Sequence, residues 1–291
     1  MTLPTTLGEL MMDSGWIEAK DRAKIEAICA RAGMPIVQWV HLLGYPAVED
    51  FPDPMKRDEN WQLARFLTNR KFNQGDGVYV DHEGFPWDTQ IVWRLPSLFR
   101  KLVGDARRWY KGVEVGTYGP MGSKIWSREQ YGIPKIGIAN TTMIMEAAGF
   151  DWFGVSCYCT QPSTTTTDQR LPESQSRPDF IWNMLAKING SRLSLPKQGR
   201  FIFGRARKIP EIVAFFQPVF RPANTNDPFH MKPLDETTII DWTRTATLSG
   251  ITRFVWWQDR PTTPEAYDAA LAQLEEMLTI MAREIKEVTP R

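Results

Sequence analysis

An α/β chain of alternating helices and parallel strands is predicted by one recurring junction, in which an amphipathic helix closes on a small residue plus Gly and a β-rich run follows at once. The junction appears as Arg31-Ala32-Gly33 before residues 35–43, as Ala147-Ala148-Gly149 before 151–159, and as Leu248-Ser249-Gly250 before 251–258. Gly accepts the left-handed conformation that ends a helix and lets the chain turn into a strand. Three such junctions spread over 291 residues indicate β/α units around a parallel sheet, at a length typical of a (β/α)8 TIM-type barrel. With 42% hydrophobic residues the chain can bury one large core, so a single domain over 1–291 is expected.

The elements follow in order. Residues 1–16 supply no convincing first strand, which predicts a barrel that is incomplete, permuted or closed by an irregular segment. Helices are expected at 20–32, 57–70, 96–109, 140–148, 177–189 and 235–248, and strands at 35–43, 77–83, 112–118, 151–159, 211–220 and 251–258, with a weaker strand candidate at 200–205. The last helix is the clearest. Thr263-Pro264-Glu265 reads as a cap followed by Pro in the first turn, and Tyr267, Leu271, Leu274, Leu278, Met281 and Ile285 then recur at spacings of four and three. Segments 160–177 and 221–233 follow predicted strand ends, where barrel enzymes build substrate clefts and where ordinary surface loops also fall. An open doubly wound sheet is the structural rival. No Gly-x-Gly-x-x-Gly or Walker loop follows a predicted strand, so no nucleotide or other cofactor is expected.

Lys plus Arg number 35 against 34 for Asp plus Glu, and this balance gives no support to nucleic-acid or anionic-membrane binding. The cluster Arg205, Arg207 and Lys208 reads as a solvated rim. Cys29, Cys157 and Cys159 provide no disulfide framework, and a thiol nucleophile at Cys157 lacks an identifiable base. No basic n-region with a long apolar run opens the chain, and no stretch approaches the roughly 18 apolar residues of a membrane span. Cytosolic residence and export or assembly by another route both stay open.

The chemistry concentrates in Gly77-Val-Tyr-Val-Asp-His-Glu-Gly84. On a strand, the i, i+2 spacing puts Asp81 and Glu83 on one face with Tyr79, and His82 on the other. Two acids side by side at a strand end, followed by Phe85-Pro86-Trp87-Asp88, suit glycosidic bond cleavage, in which one group holds a proton that the other does not. Glu83, beside Phe85 and Trp87, is the better general acid because partial desolvation keeps its proton on. Asp81 helps set that proton and, on an N-acetylated sugar, can orient the acetamido oxygen for substrate-assisted attack. The bland alternative is an ion pair or a solvent-facing acid pair.

The twelve Trp supply both core fillers and faces on which sugars can stack. Trp87 is one candidate for sugar contact. In Trp256-Trp257-Gln258-Asp259, Trp256 shares a face with Gln258 and Trp257 with Asp259, and one pair is expected to face the barrel mouth as a stacking floor with a hydrogen-bonding edge. Tyr118, Tyr158 and Gln217, also near strand ends, are further substrate-binding candidates. Metal catalysis through His41, His230 and Asp81 is a weaker reading, because no His-x-His or His-Glu-x-x-His spacing occurs. The absence of a Gly-x-Ser-x-Gly elbow argues against an α/β-hydrolase triad.

Asp81-x-Glu83, the Tyr118-Gly119 strand end and the final Trp256-Trp257-Gln258 together resemble the barrel glycoside hydrolases of the lysozyme-like family 25 and, more loosely, the chitinase-like ones. Those families carry an Asp-x-Glu at the end of a middle strand with the Glu as general acid, and family 25 ends its last strand in a Trp-Gln element. The resemblance implies Glu83 as the acid, Asp81 as its partner, and a β-linked polysaccharide such as peptidoglycan or another amino-sugar polymer as substrate, with no metal. An opening strand with its own Asp, as family 25 has, is not expected here, and the Asp-Gly-x-Asp-x-Asp-x-Glu run of chitinases is absent. A non-catalytic carbohydrate-binding protein, or a structural component of a larger assembly on the same scaffold, is the alternative from another class.

Overall fold

The computed structural model describes residues 8–17, 19–42, 73, 75–81, 100, 103–108, 112–118, 149–159, 181, 184–185, 188, 201–202, 205–206, 210–219 and 233–289. The strands are β1 (Glu9–Asp13), β2 (Ile36–Leu42), β3 (Gly77–Asp81), β4 (Val115–Tyr118), β5 (Trp152–Ser156), β6 (Phe201–Ile202), β7 (Arg205–Ala206), β8 (Glu211–Phe216) and β9 (Arg253–Trp256). Seven of them close a parallel barrel in the order β1-β2-β3-β4-β5-β8-β9. The helices are α1 (Arg22–Arg31), entered through a 3-10 turn at Ala19–Asp21, α2 (Glu236–Leu248) and α3 (Pro264–Val288). Residues 103–108 and the described residues between 181 and 188 are also helical. The expected helices at 57–70 and 140–148 lie outside the described residues, as does segment 160–177 and most of 221–233.

Two expectations are corrected. A regular first strand exists: β1 pairs in parallel with β9 from Glu9 opposite Arg253 to Met12 opposite Trp256. Its short apolar run shows no alternation in sequence, and its partner comes from the other end of the chain. The weak strand at 200–205 does not join the barrel, since β6 and β7 pair with each other in an antiparallel two-stranded sheet.

The helix-to-strand junctions at Gly33 and Gly250 form as their composition dictates; the helix of the third, before Gly149, lies outside the described residues. Gly33 and Gly250 adopt φ of +85° and +71°. After α1, Gly33 N–H donates to the Ala30 carbonyl and Met34 N–H to Cys29; after α2, Gly250 donates to Thr247 and Ile251 to Ala246. This paired closure satisfies carbonyls that a helix end leaves open. At the other ends, the Asp235 carboxylate accepts Thr238 N–H at 2.8 Å and Thr263 Oγ1 accepts Ala266 N–H at 3.2 Å, with Pro264 in the first turn of α3.

The chain divides into two compact units. In the first (1–38, 157–188 and 213–291), Trp242 of α2 fixes which strand face meets the helices. Its ring lies 4.7 Å from Phe216, edge on, and 5.5 Å from Phe254. Its indole N–H donates to the Cys157 carbonyl at 2.7 Å. Ala214, Phe216, Phe254 and Trp256 share this face by register, and Phe215, Val255 and Met11 take the opposite one. Arg253, on the same side as Val255, donates to Gln38 at 3.1 Å and lies 3.6 Å from Glu9. Leu271, Leu274, Leu278, Met281 and Ile285 of α3 are buried as one stripe. Arg31 of α1 forks onto Glu275 of α3 with two 3.0 Å bonds. Burial pushes the Glu284 carboxyl up, but bonds from Arg283 and Arg244 outweigh it and hold the group below its usual 4.5.

In the second unit (39–156 and 189–212), Tyr79, Gly116 and Trp152 stand opposite one another on β3, β4 and β5. The Tyr79 and Trp152 rings lie 6.1 Å apart, and a Cβ at Gly116 would run into the Trp152 ring. Glycine at 116 is therefore required by space. Asp151 ties β4 to the helical segment 103–108, with Oδ2 accepting from Val115 N–H at 2.9 Å and from Arg107 at 2.8 Å. No helix among the described residues is long and apolar enough to cross a membrane.

Candidate active site

Four residues of the first unit gather at the C-terminal ends of its strands, on the face turned away from α2. Asp13 ends β1, and continuing the β1–β9 register by one residue puts it opposite Trp257. The same step along β8–β9 puts Gln217 on the other side of Trp257, consistent with the 2.9 Å bond from Trp257 N–H to the Phe216 carbonyl. Tyr158 follows Cys157, whose N–H reaches the Phe215 carbonyl at 3.3 Å, so Tyr158 falls beside Gln217. The Tyr158 and Trp257 rings stack at 5.6 Å and 24°, with Gln217 buried on the strand between them. Both rings are half-buried, which leaves part of an aromatic platform open.

Asp13 is the residue that the sequence reading missed. It is 2% exposed, and its Oδ1 accepts Gly15 N–H at 2.6 Å. A side chain at 15 would press on that oxygen, since an added Cβ falls 2.8 Å from it. The available signal was an apolar Leu10-Met11-Met12 run bounded by Gly8 and by the turn-forming Asp13-Ser14-Gly15.

Tyr158, Gln217 and Trp257 are thus brought together, and Trp256 and Gln258 are not. Trp256 is fully buried against Phe216 at 5.2 Å on the helix side, and its indole N–H donates to Gln258 Oε1 at 3.2 Å. Asp259 is exposed beyond the strand. Trp16, Trp152 and Trp242 are core fillers like Trp256.

In the second unit, Asp81 is the last residue of β3 and stands opposite Tyr118, the last residue of β4. Tyr118 is buried; the Asp81 side chain is not among those described. Glu83, Trp87 and His230 lie outside the described residues. His41 is engaged by Asp76, Nε2 to Oδ2 at 2.8 Å, and the same oxygen accepts Asn73 N–H at 3.1 Å. Among the described residues no group of three or more His, Cys, Asp or Glu is placed to hold a metal ion. All three cysteines are buried free thiols, and burial pushes Cys29 up to about 12, which suits packing and opposes nucleophilic use.

An acid, an amide and a stacked aromatic pair at strand ends can hold a sugar ring by its apolar face and its hydroxyls. No family model matches the chain, and no curated protein matches it. Among solved structures it is similar to bee venom hyaluronidase in complex with a hyaluronic acid tetramer, with a TM-score of 0.58 at 9% identity over 96% of this chain and 99% of that one. The monoclinic form of bee venom hyaluronidase gives 0.56 at 10% identity, covering 93% and 99%. A GH5-4 broad specificity endoglucanase from Clostridium longisporum gives 0.44 at 10%, covering 94% and 88%. The closed parallel barrel and the likeness to the hyaluronidase structures give the chain a TIM-type barrel fold. With so few identical residues, fold is what the likeness establishes, and the lysozyme-like family 25 gains no specific support from it.

Proposed function

We propose that the chain is one barrel domain and a glycoside hydrolase that cleaves a β-linked polysaccharide by carboxylic-acid catalysis. Glu83 protonates the departing glycosidic oxygen, and Asp81 supports the proton on Glu83 and the charge that develops on the sugar. On an N-acetylated polymer such as peptidoglycan, Asp81 orients the acetamido oxygen that attacks the anomeric carbon; water then releases the sugar and returns the proton to Glu83. Trp87, Tyr118, Tyr158, Gln217, Trp257 and Asp259 contact substrate, and Trp256 with Gln258 backs the strand that carries Trp257.

The observation that carries this reading is the stacked Tyr158–Trp257 platform at strand ends, with Gln217 on the strand between those of the two rings and Asp13 on the strand beyond Trp257. The occurrence of the fold in a hyaluronidase solved with a saccharide supports it further. Glu83→Gln removes the transferable proton and keeps the side-chain shape. Turnover of a cleavable polysaccharide is expected to fall by about 10²- to 10⁴-fold, with the circular dichroism spectrum unchanged; undiminished release of reducing ends from this variant dismisses the assignment. The same aromatic platform also suits a carbohydrate-binding protein without catalysis. Sugar binding with no reducing ends released by the unsubstituted chain would favour that second reading.

A further inference from the structure

A cleft of about 620 Å³ opens between the segment that follows β1 and the segment that follows β9, lined by Trp16, Lys20, Asp21, Arg260, Tyr267 and Asp268 among others. Its size is that of a small-ligand site. Trp16 and Tyr267 form an aromatic wall, with ring centroids 6.2 Å apart at 53°, and the Tyr267 hydroxyl donates to Asp21 Oδ2 at 3.1 Å. Trp16 is buried and braces Tyr267, which is half-buried and keeps part of its ring open.

Arg260 and Asp268 are exposed at this cleft. The lining carries two cations, Lys20 and Arg260, and two anions, Asp21 and Asp268. Such a balance gains little from a strongly charged ligand. It suits vicinal hydroxyls, which donate to a carboxylate and accept from a guanidinium or ammonium.

The cleft also borders the strand-end group. Trp16 lies three residues beyond Asp13 and Arg260 three beyond Trp257. Three residues span at most about 11 Å, so each wall of the cleft starts within that reach of Asp13 and Trp257.

We propose that the cleft is a distal subsite that takes neutral, hydroxyl-rich sugar units of a chain whose nearer units lie on the Tyr158–Trp257 platform. This subsite makes the protein favour long oligosaccharides over short ones, and it rests on the reading that the strand-end group takes saccharide.

The test titrates the full chain, carrying Glu83→Gln to prevent turnover, with chitohexaose, cellohexaose, chitobiose and a hyaluronan hexasaccharide at low and high salt, with and without Arg260→Ala and Asp268→Ala. The paired substitution is expected to weaken the preferred neutral hexaose about tenfold, to leave chitobiose unchanged, and to show no dependence on salt. Tyr267→Phe, which removes only the hydroxyl that donates to Asp21, serves as a second variant should the pair perturb folding. Equal hexaose affinity with and without the substitutions overturns the proposal. So does binding of neither neutral hexaose, or tighter, salt-sensitive binding of the anionic one. Failure of the catalytic reading shows separately, as no cleavage by the unsubstituted chain while the hexaose effect persists.

Discussion

Asp13 shows how one side chain can carry two duties. Its Oδ1 closes a local turn by accepting Gly15 N–H at 2.6 Å, an arrangement common to Asp and Asn at turns. It also brings a nearly buried acid beside Trp257 at the end of β1. Asp13→Asn separates the two duties, because an amide oxygen still accepts the Gly15 N–H while the charge is lost. Turnover is expected to fall at least about tenfold, corresponding to about 1.4 kcal/mol of transition-state stabilisation, while the melting temperature moves little. Steady-state kinetics with thermal denaturation decide it: unchanged kcat and kcat/KM would reduce Asp13 to a turn former. Trp256 and Trp257 carry a related lesson. Alternation in the sequence pairs Trp256 with Gln258 and Trp257 with Asp259, yet which pair meets the helix layer is set by Trp242, a residue of another element.

At the scale of elements, β4 is four residues long and its fit depends on a missing side chain. Gly116 lets the Trp152 ring cross β4 towards Tyr79. Gly116→Ala has nowhere to put its methyl except into that indole. Overpacking of this kind costs about 1–3 kcal/mol, and a chain of this size loses about 2–4 °C of Tm per kcal/mol. A Tm drop of several degrees is expected in differential scanning calorimetry; a drop of less than about one degree would mean the indole moves aside freely. The short elements explain why some strands were harder to read than others. The runs at 77–83 and 251–258 are rich in β-branched and aromatic residues, and β3 and β9 fall inside them. Leu10-Met11-Met12 is too short to show a period, and the 200–205 run could not be assigned to a partner by composition.

At the scale of the whole molecule, closure depends on β1 lying against β9. An uncovered β9 edge would expose a row of unpaired N–H and carbonyl groups, the usual template for association. Deleting residues 1–13 is therefore expected to abolish a single cooperative thermal transition and to shift the protein to larger species in size-exclusion chromatography. A truncated chain that stays monodisperse and melts in one sharp step would show that closure by β1 is dispensable.

The sequence by itself determined the alternating α/β class, the glycine turns that close α1 and α2, and the capped α3 with its buried stripe, because caps, turns and periodicity act between residues a few positions apart. Tertiary structure decided that a first strand exists, that Asp13 joins Gln217, Tyr158 and Trp257, and that Trp256 packs inward on α2. Those outcomes come from hydrogen bonds and ring contacts between segments far apart in the chain, and no local pattern records which distant partner a segment will meet.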